Sequence, residues 1–358
     1  MLNRSRTPLD QLDPRRICII KPSALGDIVH ALPVLTGLRR RFPAAYITWA
    51  VNRSYEPLLA GHPDLSETLP FDRGSLKRGW WAGLRTFRRF LGELRQRRFD
   101  LVLDLQGLLR SGLMTWSSGA PRRVGLQSAR EGASLFYTDT IEQTGRHDGH
   151  AVDRYWHAAA ALGASEADRI ARFPEFEPEQ KWATQTLTDL PRPWIMAAVG
   201  ARWLTKRWPT AFFGELLKRA QDTFGGTVLF VGGSEDTPAS QEAALPLSRP
   251  LILTGMTTLP QLAALLARAD AMAANDTGPL HLACALGRPV VAPYTCTKAV
   301  LTGPFGQMQG AVETKVWCAG SLLRRCPRME CMAELTPDRL WPVLHEVMSR
   351  WEQTRRSA

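Results

Sequence analysis

No apolar run in the 358-residue sequence approaches the roughly 20 residues that a membrane-crossing helix needs. The opening stretch, MLNRSRTPLDQLDPRR, has no apolar centre and does not read as a secretory signal. Cysteine is scarce: there are six, none in CxxC spacing, which excludes a disulfide framework as the organising principle. Cys18 and Cys284 fall inside apolar segments and read as small core residues. Cys318, Cys326 and Cys331 have a spacing that matches no common zinc pattern. The dinucleotide fingerprint GxGxxG and the phosphate loop GxxxxGK[ST] are both missing, which removes the usual support for NAD chemistry and P-loop phosphoryl transfer. No RRM, KH or helix-turn-helix signature is visible, and the twelve tryptophans are scattered. What remains is a chain with 44% apolar residues, long enough for two domains of ordinary size and expected to be cytoplasmic and soluble.

Acids are the other shortage. The net charge is +11, which calls for an anionic partner. The imbalance is sharpest between Arg73 and Arg98, where nine Lys/Arg residues accompany one acid, Glu93. In the same stretch Trp80, Trp81, Leu84, Phe87, Phe90, Leu91 and Leu94 recur at helical spacing. A basic amphipathic helix is expected there. It reads as a core-facing helix with a solvated face, as an electropositive surface for anionic lipid, or as both.

Strand-like and helix-like segments alternate in the first half: RICIIK (16–21), a helix over 30–42, AYITWAV (45–51), DLVLDL (100–105) and a helix over 154–164. The pattern fades between Ala171 and Pro193, in a proline-bearing stretch that reads as a domain connection. A second series follows, with strands at 194–200, 226–233, 250–255, 271–275 and 289–294 separated by helical segments. Strands separated by helices predict parallel sheets. The expected fold is α/β: two Rossmann-like, doubly wound domains facing a central cleft. The first covers 1–180 and the second 190–336, with a C-terminal helix 337–351 that can return to pack on the first. In such sheets ligands bind beyond the carboxyl ends of the strands, so the residues just after each strand are the candidates.

Four strand ends stand out. In NDTGPLHLACALG (275–287), Thr277 or Gly278 can cap a helix with Pro279 in its first turn, which makes an anion site beside His281. In VGARWLTKRWP (199–209), Lys206 is a point charge suited to a pyrophosphate. In FVGGSEDT (230–237), paired glycines allow close backbone approach and Glu235 can reach a ribose hydroxyl. In KPSALGDIVHALP (21–33), the single carboxylate, Asp27, is either the N-cap of a helix over 28–41 or a general base.

These motifs resemble glycosyltransferase family 9, the bacterial heptosyltransferases of lipopolysaccharide core assembly. The carriers are KPSALGDIVHALP, GARWLTKRWP and NDTGPLHLACALGRP, supported by DLVLDLQGLLRS (100–111) and CPRMECMAELTPDRL, in family order from Ile17 to Leu340. The resemblance implies a GT-B fold, an acceptor bound by the first domain and a nucleotide sugar bound by the second. It implies an inverting single displacement with no cofactor and no metal. Asp27 falls at the family's catalytic base and Lys206 at its phosphate-contacting lysine. Asp276, Thr277, Gly278 and His281 fall in the donor loop, where Asp276 would accept from sugar hydroxyls. The implied donor is ADP-L-glycero-β-D-manno-heptose; the implied acceptor is Kdo-lipid A or heptosyl-Kdo-lipid A. Arg73, Lys77, Arg78, Arg110, Arg122 and Arg123 are the expected partners of that anionic glycolipid, and a peripheral contact with the cytoplasmic face of the inner membrane is admitted. The alternatives are a UDP- or GDP-sugar donor, or a non-catalytic polyanion binder; nucleic acid is not the expected partner.

Overall fold

The computed structural model describes residues 7–72, 74, 79–142 and 149–356. The chain divides into two units, Met1–Glu175 and Phe176–Ala358. In the first, strands β1 (Arg16–Ile20), β2 (Tyr46–Asn52), β3 (Glu67–Phe71), β4 (Leu101–Asp104), β5 (Arg122–Leu126) and β6 (Asp139–Ile141) form one parallel sheet. Its order is β3-β2-β1-β4-β5-β6. The helices are α1 (Leu25–Arg41), α2 (Trp80–Gln96), α3 (Leu109–Ser117) and α4 (Ala151–Ala161).

Each face of this sheet is buried, as parallel pairing requires. Side chains alternate along a strand, so β1 sends Ile17 and Ile19 into one cluster with Leu32, Leu35, Tyr155 and Trp156 of α1 and α4. Cys18 and Ile20 point the other way, against Phe90 and Leu94 of α2 and Met114 of α3. The core reading of Cys18 holds: it is fully buried. Each such Leu or Ile contributes about 1.5–3 kcal/mol by leaving water.

The second unit repeats the plan. Its strands are β7 (Trp194–Ala198), β8 (Thr227–Phe230), β9 (Pro250–Ile252), β10 (Ala271–Ala274), β11 (Val290–Tyr294) and β12 (Ala311–Glu313), all parallel. The order β12-β11-β10-β7-β8-β9 is the first sheet's order read from the other edge. Helices α5 (Glu177–Leu187), α6 (Thr210–Phe224), α7 (Thr237–Ala244), α8 (Leu259–Leu266), α9 (Gly278–Ala285), α10 (Ala299–Thr302), α11 (Glu330–Glu334) and α12 (Pro337–Arg356) complete it. The terminal helix α12, expected to be able to return to the first domain, buries Leu340, Leu344 and Met348 in the second unit's own core with Phe213 and Leu217 of α6. No helix of the described residues is long and apolar enough to cross a membrane.

Several elements lay below the sequence pattern. Strands β3, β5, β6 and β12 are three to five residues long and carry polar or charged residues, so they lack an apolar run. The stretch read as a connection holds α5, with Pro178 tolerated in its first turn. Helix α1 begins at Leu25, five residues before the expected start.

Candidate functional site

In each sheet the strand order reverses between the two central strands, β1 and β4 in the first and β7 and β10 in the second. The carboxyl ends of such a pair frame the crevice where doubly wound sheets take ligands.

In the first unit, Asp27 stands at this point. It is not the N-cap of its helix: that position is Ala24, and Asp27 is the third helical residue. Its Oδ2 accepts the Ala24 N–H at 3.2 Å, so one oxygen does the capping expected of a first-turn acid. The other oxygen has a different role. Oδ1 accepts from the Tyr155 hydroxyl at 2.7 Å, and the Lys21 ammonium lies 3.6 Å away. Lys21 in turn donates to the Tyr155 oxygen (2.8 Å) and to the Leu105 carbonyl (3.1 Å). The Lys21 side chain is 2% exposed and that of Asp27 is 41% exposed. Burial pushes the Lys21 pKa down, opposed by the charges of Asp27 and of Asp104 at the end of β4. The result is an accessible carboxylate fixed from behind by a buried hydroxyl and a buried ammonium.

In the second unit, Lys206 ends a short 3-10 turn after β7, and Asp276 follows β10. They meet: Lys206 Nζ lies 2.5 Å from Asp276 Oδ2. Thr297 Oγ1 donates to the same oxygen at 2.7 Å, and His281 Nε2 lies 3.2 Å from Oδ1. Burial alone would raise the Asp276 pKa, but the His281 hydrogen bond and the Lys206 charge outweigh it and hold the carboxyl well below the usual range. Both Asp276 oxygens thus have partners inside the protein, Oδ2 with Lys206 and Thr297 and Oδ1 with His281. Thr277 is the N-cap of α9 and Gly278 its first residue, which brings the positive end of that helix to the same place. Asn275 locks the two loops together, donating to Val199 O (2.7 Å) and accepting from Trp208 N (3.1 Å). Gly200 instead lets the turn after β8 approach, because a Cβ there would lie 1.9 Å from Asp236 Oδ1.

The remaining expected residues are placed as follows. Glu235 is exposed on the turn Ser234–Asp236 after β8. Arg110 is exposed on α3. Arg122 is bound to Asp139 (3.0 Å) and to Thr7 O (2.7 Å), and Arg123 to Phe136 O (2.9 Å) and Ala120 O (2.7 Å). Both arginines open β5, level with the start of β1, whereas Asp27 follows the other end of β1. Arg73, Lys77 and Arg78 lie outside the described residues. Helix α2 is amphipathic as expected: Gly83, Phe90 and Leu94 are buried, while Trp80 and Trp81 are 71% and 78% exposed beside exposed Arg85, Arg88 and Arg89.

Sequence reasoning missed Lys21, Tyr155 and Thr297. Lys21 had a signal, a lone lysine closing an apolar strand; Tyr155 and Thr297 had none, since their partners are 128 and 21 residues away.

A family model described as glycosyltransferase family 9 (heptosyltransferase) matches residues 87–332. The chain is 31% identical over 318 residues to lipopolysaccharide heptosyltransferase 1 of Pseudomonas aeruginosa, covering 87% of each. It is similar in structure to the Escherichia coli heptosyltransferase WaaC with ADP, with a TM-score of 0.73 and 25% identity over 93% of this chain and 99% of that one. A second structure, of the same E. coli enzyme with ADP-2-deoxy-2-fluoro heptose, matches with a TM-score of 0.70 and 25% identity over 92% and 99% of the two chains.

Proposed function

Because the chain belongs to glycosyltransferase family 9, the heptosyltransferases, we propose that it transfers a heptose from ADP-L-glycero-β-D-manno-heptose to the inner core of lipopolysaccharide. The acceptor is Kdo-lipid A or heptosyl-Kdo-lipid A. The donor assignment is supported by the similar E. coli enzyme, which was solved with ADP and with a fluorinated ADP-heptose.

The observation that carries the mechanism is the accessible Asp27 carboxylate fixed by Tyr155 and Lys21. An acceptor hydroxyl attacks the anomeric carbon of the donor while its proton passes to Asp27. The new carbon–oxygen bond forms as the bond from the anomeric carbon to the diphosphate oxygen breaks. ADP departs with that electron pair, and the configuration inverts. Charge building on the departing diphosphate is met by Lys206 and by the N-terminus of α9, at Thr277 and Gly278. Asp276 and His281 hold Lys206 in place, and Glu235 is the candidate for the ribose. The anionic glycolipid is drawn by exposed Arg110 and by the basic stretch that includes Arg73, Lys77, Arg78 and α2. Trp80 and Trp81 give α2 the composition of a peripheral contact with the inner membrane's cytoplasmic face.

The test combines binding with turnover. ADP, UDP and GDP are titrated calorimetrically, and product is followed with ADP-heptose and each acceptor. Selective ADP binding and turnover are expected, and Asp27→Asn should lower kcat by about 10²–10⁴-fold with ADP affinity preserved. Selective UDP or GDP binding would refute the heptose donor. A variant retaining most of the rate would refute Asp27 as the base.

A further inference from the structure

The loop between β12 and α11 carries a cation that the mechanism above does not use. This segment is tied to the strand ends of the second unit by backbone bonds from Gly320 N to Thr295 O (3.0 Å) and from Leu322 N to Cys296 O (2.8 Å). Thr205, the neighbour of Lys206, donates from Oγ1 to Leu323 O at 2.5 Å and accepts at its own carbonyl from Thr295 Oγ1. Gly320 takes a left-handed φ of +73°, and a Cβ there would lie 2.5 Å from Lys298 Cγ, so the turn calls for glycine at this point. The consequence is that the Arg324 guanidinium stands over the ring of Trp203, 5.1 Å from its centroid. Lys206 Nζ lies 5.0 Å from the same centroid. One indole thus supports two cations.

The two differ in what balances them. Lys206 is paired with Asp276 at 2.5 Å, and that carboxylate is ionised, so the pair is close to neutral. The diphosphate of a nucleotide sugar is dianionic, and a helix N-terminus supplies only about half a positive charge. Lys206 and α9 alone therefore leave much of the ligand's charge unmatched. Arg324 is exposed, and among the described residues no carboxylate lies within ion-pair distance of it. A guanidinium held over an aromatic ring by a cation–π contact still has N–H donors to offer a phosphate.

We propose that Arg324, held on the Trp203 ring by the tethered loop, is the second cationic ligand of the donor's diphosphate. This rests on the reading of Lys206 and α9 as the diphosphate site, so the experiment separates the two. Calorimetric titration with ADP and with adenosine is run on the intact protein and on Arg324→Ala, Arg324→Lys, Lys206→Ala and Arg328→Ala, at low and high salt. Arg324→Ala is expected to weaken ADP about tenfold, with adenosine affinity and melting temperature unchanged and a shallower salt dependence. Arg324→Lys should fall between, keeping the charge and losing the fork, and Arg328→Ala should match the parent. If Lys206→Ala weakens ADP and Arg324→Ala does not, the role of Arg324 is refuted and the diphosphate site stands. If neither substitution weakens ADP, both are refuted. If Arg324→Ala leaves ADP affinity intact and raises only the KM of the phosphorylated acceptor, Arg324 serves the acceptor and the proposal falls.

Discussion

Replacing Tyr155 by Phe isolates the support behind Asp27 with almost no change of volume. The ring stays in the first unit's core, and its face remains available to the Lys21 ammonium, 4.4 Å from the centroid. Only the hydroxyl goes, and with it a 2.7 Å bond to Asp27 and a 2.8 Å bond from Lys21. A hydrogen bond to an ionised group is worth about 1.5–3 kcal/mol. Asp27 is partly exposed, so water takes over part of that bond, and we put the loss in catalysis at about 1 kcal/mol. This corresponds to about a fivefold fall in kcat/KM. The buried end suffers differently. Lys21 is almost fully buried and keeps the Leu105 carbonyl, so losing one acceptor there costs about 1–3 kcal/mol of stability. Against a total of about 5–15 kcal/mol the variant still folds.

The pH profile distinguishes catalytic support from simple packing. A donor to a carboxylate favours its ionised form, so removing the Tyr155 hydroxyl makes Asp27 easier to protonate. The acid limb of kcat/KM should then move to higher pH in Tyr155→Phe, while ADP binding stays as in the parent. The assay is initial rate of heptosyl transfer across pH, with melting temperature recorded on the same samples. A variant with lower melting temperature but unchanged kcat/KM and an unmoved acid limb would refute the argument, and would leave Tyr155 and Lys21 as core residues only.

Two further outcomes follow from the site and the surface. Since the net effect on Asp276 is a lowered pKa, its ionised form stabilises the fold above the ordinary carboxylate range, and that contribution fades as pH falls from about 4 toward the folded value. Asp276→Asn should lose about 3–5 kcal/mol at neutral pH, because Lys206 is left half-buried without its partner; its denaturant midpoint should then change less than the parent's on acidification, and parallel curves would refute the assignment. Trp80→Ala combined with Trp81→Ala should weaken co-sedimentation with vesicles containing anionic lipid, and raised salt should weaken it further for the parent; equal pelleting with neutral and anionic vesicles would argue against an electrostatic contact through α2.

The parts of the site that were legible are those that a strand end fixes locally. Asp27, Lys206 and Asp276 each follow an apolar run, and the rule that doubly wound sheets use their carboxyl ends is enough to select them. What joins them is long-range. Tyr155 reaches Asp27 across 128 positions because α4 packs on α1, and nothing in the local pattern around Tyr155 points there. Arg122 and Arg123 show what charge alone leaves out: they open β5, and their guanidiniums hold the Asp139 and Phe136 segments in place.

Once the two sheets are known to share one strand order, a relation appears that neither motif discloses alone. Each switch point holds a lysine and an aspartate in contact, Lys21 with Asp27 and Lys206 with Asp276. In the first pair the lysine is buried and the carboxylate opens to solvent. In the second the carboxylate is 3% exposed and the lysine, at 17%, is the more open partner. A buried charge needs a counter-charge, so in each pair the hidden member fixes the accessible one. In the proposed mechanism the accessible member is the one that meets a ligand: a carboxylate for a hydroxyl proton in the first unit, an ammonium for a diphosphate in the second. The same device, with its polarity reversed, matches the division of labour of the proposed inverting transfer, and it predicts that charge-reversing either pair in place would disable that unit's role without repairing the other.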